Sequence, residues 1–347
     1  MTTRVPLTQI SSVSWEHPAD RAALNTLRSI PGFDEVVKKV AGFLGERGVR
    51  LLFLGDAVRV GPTQRPDMYA LYQEVLEALD WPMAGKEPPQ LYVTQTPLVN
   101  ASAVGFDNPF IVINSGMLLV LNREELRFIL AHEVGHIMSG HTTYSTIAIL
   151  LLTFGARALP VLATIALMPF QLALLEWHRK SELTADRAGL LGSQDPRASM
   201  MSFLKLAGGA ESGDSIDLDA YLAQAAEYEE NDGWDSVFKV LNTALREHPF
   251  HTVRVGELQR WVQAGGYQEI IDGNYVRRGE ESSRPLGADV KEAGDYYVAQ
   301  AKAAVDSVGE VINRAADAFR DAFRTASAAA GMGSSGPSSN GDAPGSV

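Results

Sequence analysis

The sequence predicts a mainly α-helical protein that carries one small antiparallel β-sheet. Most segments repeat apolar residues every three or four positions, which is typical of one face of a helix. Three short segments are instead rich in β-branched and aromatic residues and are bounded by Pro, Asn or Gly, which is typical of strands. Hydrophobic residues make up 46% of the 347 residues and charged residues 21%, so the chain has enough apolar material for a core.

The predicted elements follow one another in three groups. Helices fill the first 90 residues, with breaks at Pro31 and Gly32. Strands are then expected at residues 91–94, 101–106 and 109–113. Asn122 is a suitable N-cap for the next helix, because Glu124 and Glu125 fit its first turn. Further helices are expected at residues 177–191, 196–206, 217–229 and 234–246.

Composition excludes several classes of function. The net charge of −12 argues against a nucleic-acid partner, because affinity for phosphates comes from Lys and Arg. The chain has no cysteine, so any metal must be bound by His, Asp or Glu. The first 20 residues contain no apolar stretch after a basic start, and we therefore expect a protein that is cytoplasmic and not secreted.

The strongest motif is His132-Glu133-Val134-Gly135-His136. Residues four apart share one face of a helix, so His132 and His136 can bind one metal ion. Glu133 lies about 100° further round the helix, beside the ion, where it can act as a general base. With seven His in the chain, such a motif arises by chance in roughly one chain in a hundred. The predicted helix around the motif is therefore as important for identifying a metal site as the motif's residue types.

A catalytic zinc site also needs a third protein ligand. His141 is five residues after His136, whereas the extended motif places its third His six residues on, so we expect His141 not to bind the metal. Glu182 and Asp186 share a helix face, which allows Glu182 to bind zinc while Asp186 hydrogen-bonds the outer edge of a histidine ligand. The alternative is a solvated pair formed with Arg179 and Arg187.

Several separated segments together resemble the HtpX and CAAX prenyl protease family of zinc metallopeptidases, a gluzincin group. The resemblance covers roughly residues 90–260 and implies a zincin-like fold. The segments that carry it are residues 99–101, 109–116, 125–126, 130–136, 182–188 and 204–209, followed by His248-Pro249 and Arg254.

The resemblance also implies a role for individual residues. His132, His136 and Glu182 would bind one zinc ion per chain, Glu133 would be the base, and Asp186 would support a ligand.

Other positions are assigned by the resemblance alone. His248 would approach the open side of the zinc, and Arg254 would support that pocket. Asn100 and Ala101 would lie on the strand that pairs with the substrate backbone. The implied activity is a zinc-dependent endopeptidase acting on protein or peptide substrates. A non-catalytic, membrane-associated or chaperone-like protein of the same fold is the main alternative, and a zinc hydrolase acting on other amides stays open.

Four regions are expected along the chain. They are an N-terminal helical region (1–90), a catalytic domain (91–280), an amphipathic C-terminal helix (281–330) and a disordered tail (331–347).

The catalytic domain includes a long apolar run, residues 147–175. A single membrane crossing would separate His136 from Glu182, and two crossings of about 14 residues each would be too short. We therefore expect a helical hairpin that turns near Arg157 and Pro160. Peripheral contact with a membrane and burial inside the protein both remain open.

Overall fold

A computed structural model describes residues 4–30, 33–81, 87–158, 161–209, 216–230 and 249–281 of the chain. The chain forms two compact units, Met1–Val298 and Ala299–Val347, and every described residue belongs to the first. The helices are α1 (Pro18–Arg28), α2 (Phe33–Leu54), α3 (Pro66–Ala78), α4 (Ser115–Val120), α5 (Arg123–Met138), α6 (Thr142–Ala158), α7 (Val161–Ser193), α8 (Pro196–Gly208), α9 (Leu218–Glu230), α10 (His251–Gln263) and α11 (Gly266–Ile271). The strands are β1 (Ala57–Arg59), β2 (Gln90–Thr94), β3 (Ala101–Val104) and β4 (Phe110–Asn114).

The mainly helical fold with one small sheet is confirmed, but the sheet is mixed. Its strand order is β1-β2-β4-β3. β1 pairs antiparallel with β2, and β3 pairs antiparallel with β4. The expectation of a wholly antiparallel sheet is wrong at its centre, where β2 and β4 run parallel. The chain leaves β2, passes along the edge as β3 and turns back, so that β4 enters beside β2 in the same direction. β3 is thereby left as an edge strand.

Some elements differ from the sequence prediction. The helices expected throughout the first 90 residues are interrupted by β1, which has three residues and is too short to produce a period-two signal. The helix expected at residues 177–191 is the second half of the longer α7. The predictions for residues 234–246, for nearly all of the C-terminal helix (281–330) and for the tail fall outside the described residues.

α5 begins with the predicted cap. Asn122 accepts hydrogen bonds from the backbone N–H groups of Glu124 and Glu125, and the Glu125 carboxylate accepts one from the Asn122 N–H. Lys205 of α8 pairs with the buried Glu125 at 2.9 Å. The start of the helix is therefore fixed both locally and by a neighbouring helix.

α5 packs more extensively against α7 than against any other described element. Small residues make this close approach feasible. A Cβ atom placed on Gly135 would lie 2.4 Å from the Ala188 Cβ, and one placed on Gly192 would lie 2.5 Å from the Ala131 Cβ. Since real Cβ atoms do not approach so closely, glycine at these positions sets the spacing between the two helices.

The N-terminal residues share the main core with these helices. Leu7, Ile10 and Trp15 are fully buried in the same apolar cluster as Phe128 and Leu130 of α5. The segment before α1 is therefore part of the packing that supports α5.

The apolar run is divided between α6 and α7, which pack against each other. Residues at both of its ends are buried inside the protein, among them Ile147, Leu151, Leu174 and Leu175. The ends of the run therefore contribute to the core of the protein, while the side chains of residues 152–169 are outside the described set. In the part of the chain described, no helix is both long and apolar enough to cross a membrane.

Candidate metal centre

His132, His136 and Glu182 converge on one point between α5 and α7. One donor atom from each lies within 4.8 Å of the other two. The two Nε2 atoms are 3.1 Å apart. The Glu182 Oε1 lies 3.2 Å from His136 Nε2, and its Oε2 lies 3.7 Å from His132 Nε2. All three side chains are almost completely buried. The packing of α5 against α7 therefore holds their lone-pair-bearing nitrogen and oxygen atoms close together, although these atoms repel one another.

These separations fit a tetrahedral metal ion. Two ligand atoms at about 2.1 Å from a zinc ion and at the tetrahedral angle are roughly 3.4 Å apart. The two Nε2 atoms, 3.1 Å apart, and the Glu182 Oε1, 3.2 Å from His136 Nε2, come close to that value, while the 3.7 Å distance to His132 Nε2 is that of the other carboxylate oxygen. The donor set is two imidazoles and one carboxylate, which is a set found at catalytic zinc sites. The residues present therefore fit such an ion.

The outer nitrogen of His132 faces Asp186, one turn beyond Glu182 on α7. His132 Nδ1 lies 3.0 Å from Asp186 Oδ1. Burial alone would lower the pKa of His132, but the hydrogen bond to Asp186 and the negative charge of Glu182 raise it above its ordinary value. If the Nδ1 proton is shared with Asp186, the Nε2 lone pair points to the centre.

Arg254 of α10 joins the two carboxylates of α7. Its Nη1 lies 3.0 Å from Glu182 Oε2, and its Nε donates to Asp186 Oδ2 at 2.9 Å. The pKa of the Asp186 carboxyl is lowered from its ordinary value, because the charge and hydrogen bonds of Arg254 outweigh the effect of burial. Arg254 thus balances two buried negative charges and fixes where they point.

The outer nitrogen of His136 faces another histidine. His136 Nδ1 lies 3.0 Å from His141 Nδ1, and His141 Nε2 lies 3.0 Å from Asp20 Oδ2 of α1. Asp20 also accepts a hydrogen bond from the Thr184 hydroxyl at 2.7 Å. His141 is not among the three converging ligand candidates, although it touches one of them.

Burial lowers the pKa of His136 to about 4, and the neighbouring His132 and His141 lower it too. His136 is therefore neutral at physiological pH, which is the protonation state a metal ligand requires.

A cavity of about 560 Å³ opens onto this cluster. Glu133 lines it next to His132 and Glu182, and the predicted substrate-strand residues Asn100 and Ala101 line another wall. Arg254 also reaches it. Of the predicted site residues, the structure thus brings His132, Glu133, Glu182, Arg254, Asn100 and Ala101 to one cavity. His136 and Asp186 contact these residues from behind the cavity wall, and His248 is outside the described residues.

Sequence reasoning missed other residues of the site. His178, one turn before Glu182, places its Nε2 3.8 Å from Glu182 Oε1, and its spacing of four residues was a usable signal. Tyr221, Phe250 and His251 line the cavity but carry no local motif. Asp20 lies far from His141 in sequence, so only the tertiary fold connects them.

The chain is similar to known peptidases along most of its length. The model of peptidase family M48 matches residues 62–262. A plastoglobule-localized metallopeptidase 48 of Arabidopsis thaliana chloroplasts is 34% identical over 264 residues, which is 74% of each chain. A protease HtpX homolog of Streptococcus pneumoniae is 30% identical over 118 residues, covering 33% of this chain and 36% of the relative. No solved structure matches the chain.

A helix-borne His-Glu-x-x-His motif facing a carboxylate on a second helix defines the metallopeptidase class. The family match and the relatives agree with it, and the chain belongs to peptidase family M48. It is a metal-dependent hydrolase of peptide bonds, whose substrates are proteins or peptides. The predicted family resemblance and enzyme class are confirmed.

Proposed function

We propose that the metal is zinc, one ion per chain, bound by His132 Nε2, His136 Nε2 and the Glu182 carboxylate. The observation that carries this proposal is the spacing of those donor atoms, which matches a tetrahedral ion. Zinc in this position would polarise a carbonyl and make water acidic enough to lose a proton near neutral pH.

Glu133 is the proposed general base. It follows His132 on α5 and lines the cavity beside the ligand candidates. From there its carboxylate accepts a proton from the attacking water and passes it to the amine that leaves. His248 is proposed to act on the open side of the site, where a hydrogen-bonding group stabilises the negative charge that develops on the carbonyl oxygen. Arg254 is proposed to support that pocket through its contacts with Glu182 and Asp186.

The edge strand β3 is the proposed substrate-binding strand. Asn100 and Ala101 stand at its beginning and line the cavity. An extended peptide can add to such an edge through backbone hydrogen bonds. Recognition of this kind depends on the backbone more than on side chains, so we expect loose sequence preference.

The experiment compares the wild type with Glu133→Gln. Both proteins should contain one zinc per chain, while casein cleavage by the variant falls at least about 100-fold, because a general base contributes at least that factor. Glu124→Gln, a change of the same chemistry in the first turn of the same helix, is the control and should keep full activity. A wild type that holds zinc but cleaves neither casein nor small peptides would favour the non-catalytic alternative or a different amide substrate.

A second proposal concerns location. We propose that the protein works on the cytoplasmic side and touches a membrane only peripherally, through the middle of the apolar run (147–175). His136 and Glu182 flank this run and meet at one site, which supports a location of both of its ends on the same side. Alkaline carbonate should then release the protein from membranes, and resistance to carbonate would contradict the proposal.

A further inference from the structure

The N-terminal helix α1 reaches the metal centre although it precedes the part of the chain that matches the family, which begins at residue 62. Its residue Asp20 is 2% exposed and lies at the end of a row of buried polar groups that starts at His136. The contacts in this row are 3.0 Å from His136 to His141 and 3.0 Å from His141 to Asp20.

With His141 neutral, one hydrogen-bonding direction satisfies every contact in the row. Asp20 as a carboxylate can only accept, so His141 donates its Nε2 proton to it. The Nδ1 of a neutral His141 is then an acceptor, and His136 must donate its own Nδ1 proton to it. That arrangement leaves the lone pair of His136 Nε2 directed at the point where it meets His132 and Glu182.

Thr184 holds Asp20 in this position. Its hydroxyl donates to Asp20 Oδ2 at 2.7 Å and accepts from the backbone N–H of His17, the N-cap of α1, at 3.0 Å. Thr184 lies on α7 between Glu182 and Asp186. The helix that supplies the carboxylate ligand therefore also anchors the start of α1. Burial would raise the pKa of the Asp20 carboxyl, but the hydrogen bonds from His141 and Thr184 help to lower it below its ordinary value.

We infer that Asp20, acting through His141, is a positioning residue that fixes the tautomer and direction of His136 for metal binding. The inference rests on the proposed function. Asp186 orients His132 by direct contact. Asp20, in the N-terminal region, would orient His136 in the same way, but through His141, which lies between the carboxylate and the ligand.

The test measures zinc affinity by competition with a chelator. Partners that orient a histidine ligand typically change metal affinity 10- to 100-fold, so Asp20→Asn should bind zinc about 10-fold more weakly than the wild type. His141→Phe, which keeps a ring against Trp177, should weaken binding by at least as much. Cobalt-substituted Asp20→Asn should also show an altered visible spectrum, because the His136 bond to the metal changes.

A double variant separates positioning from general destabilisation. In the His141→Phe background, Asp20→Asn should cost no further zinc affinity, because its effect passes through His141. Glu125→Gln is the matched control: it removes another buried carboxylate, paired with Lys205, and should lower the free energy of unfolding without changing zinc affinity. If Asp20→Asn does not fold, Thr184→Val replaces it and should weaken zinc binding about threefold, since one typical hydrogen bond is worth roughly that factor.

Each outcome decides between two claims. A wild type that binds no zinc would refute the proposed function and this inference with it. A wild type that binds zinc, with Asp20→Asn (or Thr184→Val in its place) binding equally well, would refute this inference alone. Additive losses in the double variant would also refute it, because they would show that Asp20 acts independently of His141.

Discussion

At the scale of single residues, the proposed ligands are fixed by their outer contacts. His132 meets Asp186 and His136 meets His141, while the Glu182 oxygen nearer His132 is held by Arg254. Each contact restrains a side chain that would otherwise rotate. These outer contacts therefore hold the three side chains in the geometry that metal binding needs.

Arg254→Met tests how much the stability of the protein depends on the positive charge that Arg254 places beside Glu182 and Asp186. The change leaves Glu182 and Asp186 buried with their main positive partner removed, and breaking a buried pair in this way costs about 3–5 kcal/mol. We predict a loss of that order in the free energy of urea unfolding of the metal-free protein. Zinc should restore part of it, because the ion supplies positive charge beside Glu182.

The control for this prediction is Arg123→Met. Arg123 is half exposed and pairs with Glu74 at the surface, where an ion pair is worth at most about 1 kcal/mol. Equal losses in the two variants would contradict the account of Arg254 as a buried charge-balancing residue.

At the scale of elements, the proposed metal site depends on the distance between α5 and α7. One helix carries His132, Glu133 and His136, and the other carries Glu182. Gly135 lies within the motif itself and faces Ala188. The spacing that lets the third proposed ligand reach the first two is thus set by the motif's own glycine.

Gly135→Ala should force the two helices apart. The added methyl group would lie 2.4 Å from the Ala188 Cβ, and overpacking of this kind costs about 1–3 kcal/mol. We predict lower stability together with weaker zinc binding, and recovery of both in the double variant Gly135→Ala, Ala188→Gly. Gly208→Ala, where nothing lies within 4 Å, should be neutral or slightly stabilising. Failure of the double variant to recover would show that the contact does not set the spacing.

The sequence predicts those site residues that lie four positions apart on the same helix. His132 and His136 share one face of α5, and Glu182 and Asp186 share one face of α7. Helical spacing identified the second pair only because the His-Glu-x-x-His motif requires a third ligand. The parallel pairing of β2 with β4 depends on how the chain passes through β3, which local patterns do not encode. Asp20 was missed for the same reason, because its partner His141 lies on a distant segment.

At the scale of the whole molecule, the N-terminal region and the helices of the site fold as one unit. His17 caps α1 and is 1% exposed, with its Nε2 3.5 Å from Glu257 of α10. Burial, together with the positive charges of Arg187 and Lys180, lowers the pKa of His17 to about 4, although Glu257 opposes this effect. The contact between the first helix and the later ones is therefore sensitive to acid.

The lowered pKa of His17 predicts that the free energy of unfolding decreases as the pH falls. In the unfolded chain its pKa is near 6.5, so below that pH the unfolded state binds the proton more readily than the folded state, in which the pKa is about 4. Stability present above pH 6.5 is lost as the pH falls toward 4. Between pH 7 and pH 5 this residue should cost about 2 kcal/mol, measured as the free energy of unfolding of the metal-free protein.

His17→Asn provides the comparison, because asparagine can still cap the helix but does not titrate. In the wild type, His17 and Arg260 together outweigh burial and lower the pKa of Glu257 to about 2. Arg260, whose Nη2 lies 2.8 Å from Glu257 Oε1, keeps a positive charge beside this carboxylate in the variant. The variant should therefore lose about 2 kcal/mol less than the wild type between pH 7 and pH 5. Parallel pH profiles for the two proteins would contradict the assignment of a neutral, buried His17.

The central claim is the identity of the three metal ligands, and anomalous diffraction at the zinc absorption edge from crystals of the zinc-loaded protein tests it most directly. We predict one strong anomalous peak per chain, about 2.0–2.2 Å from His132 Nε2, His136 Nε2 and a Glu182 oxygen. His141 should make no bond to the ion and should remain between His136 and Asp20. A peak bound by His141, or one located away from Glu182, would contradict the account.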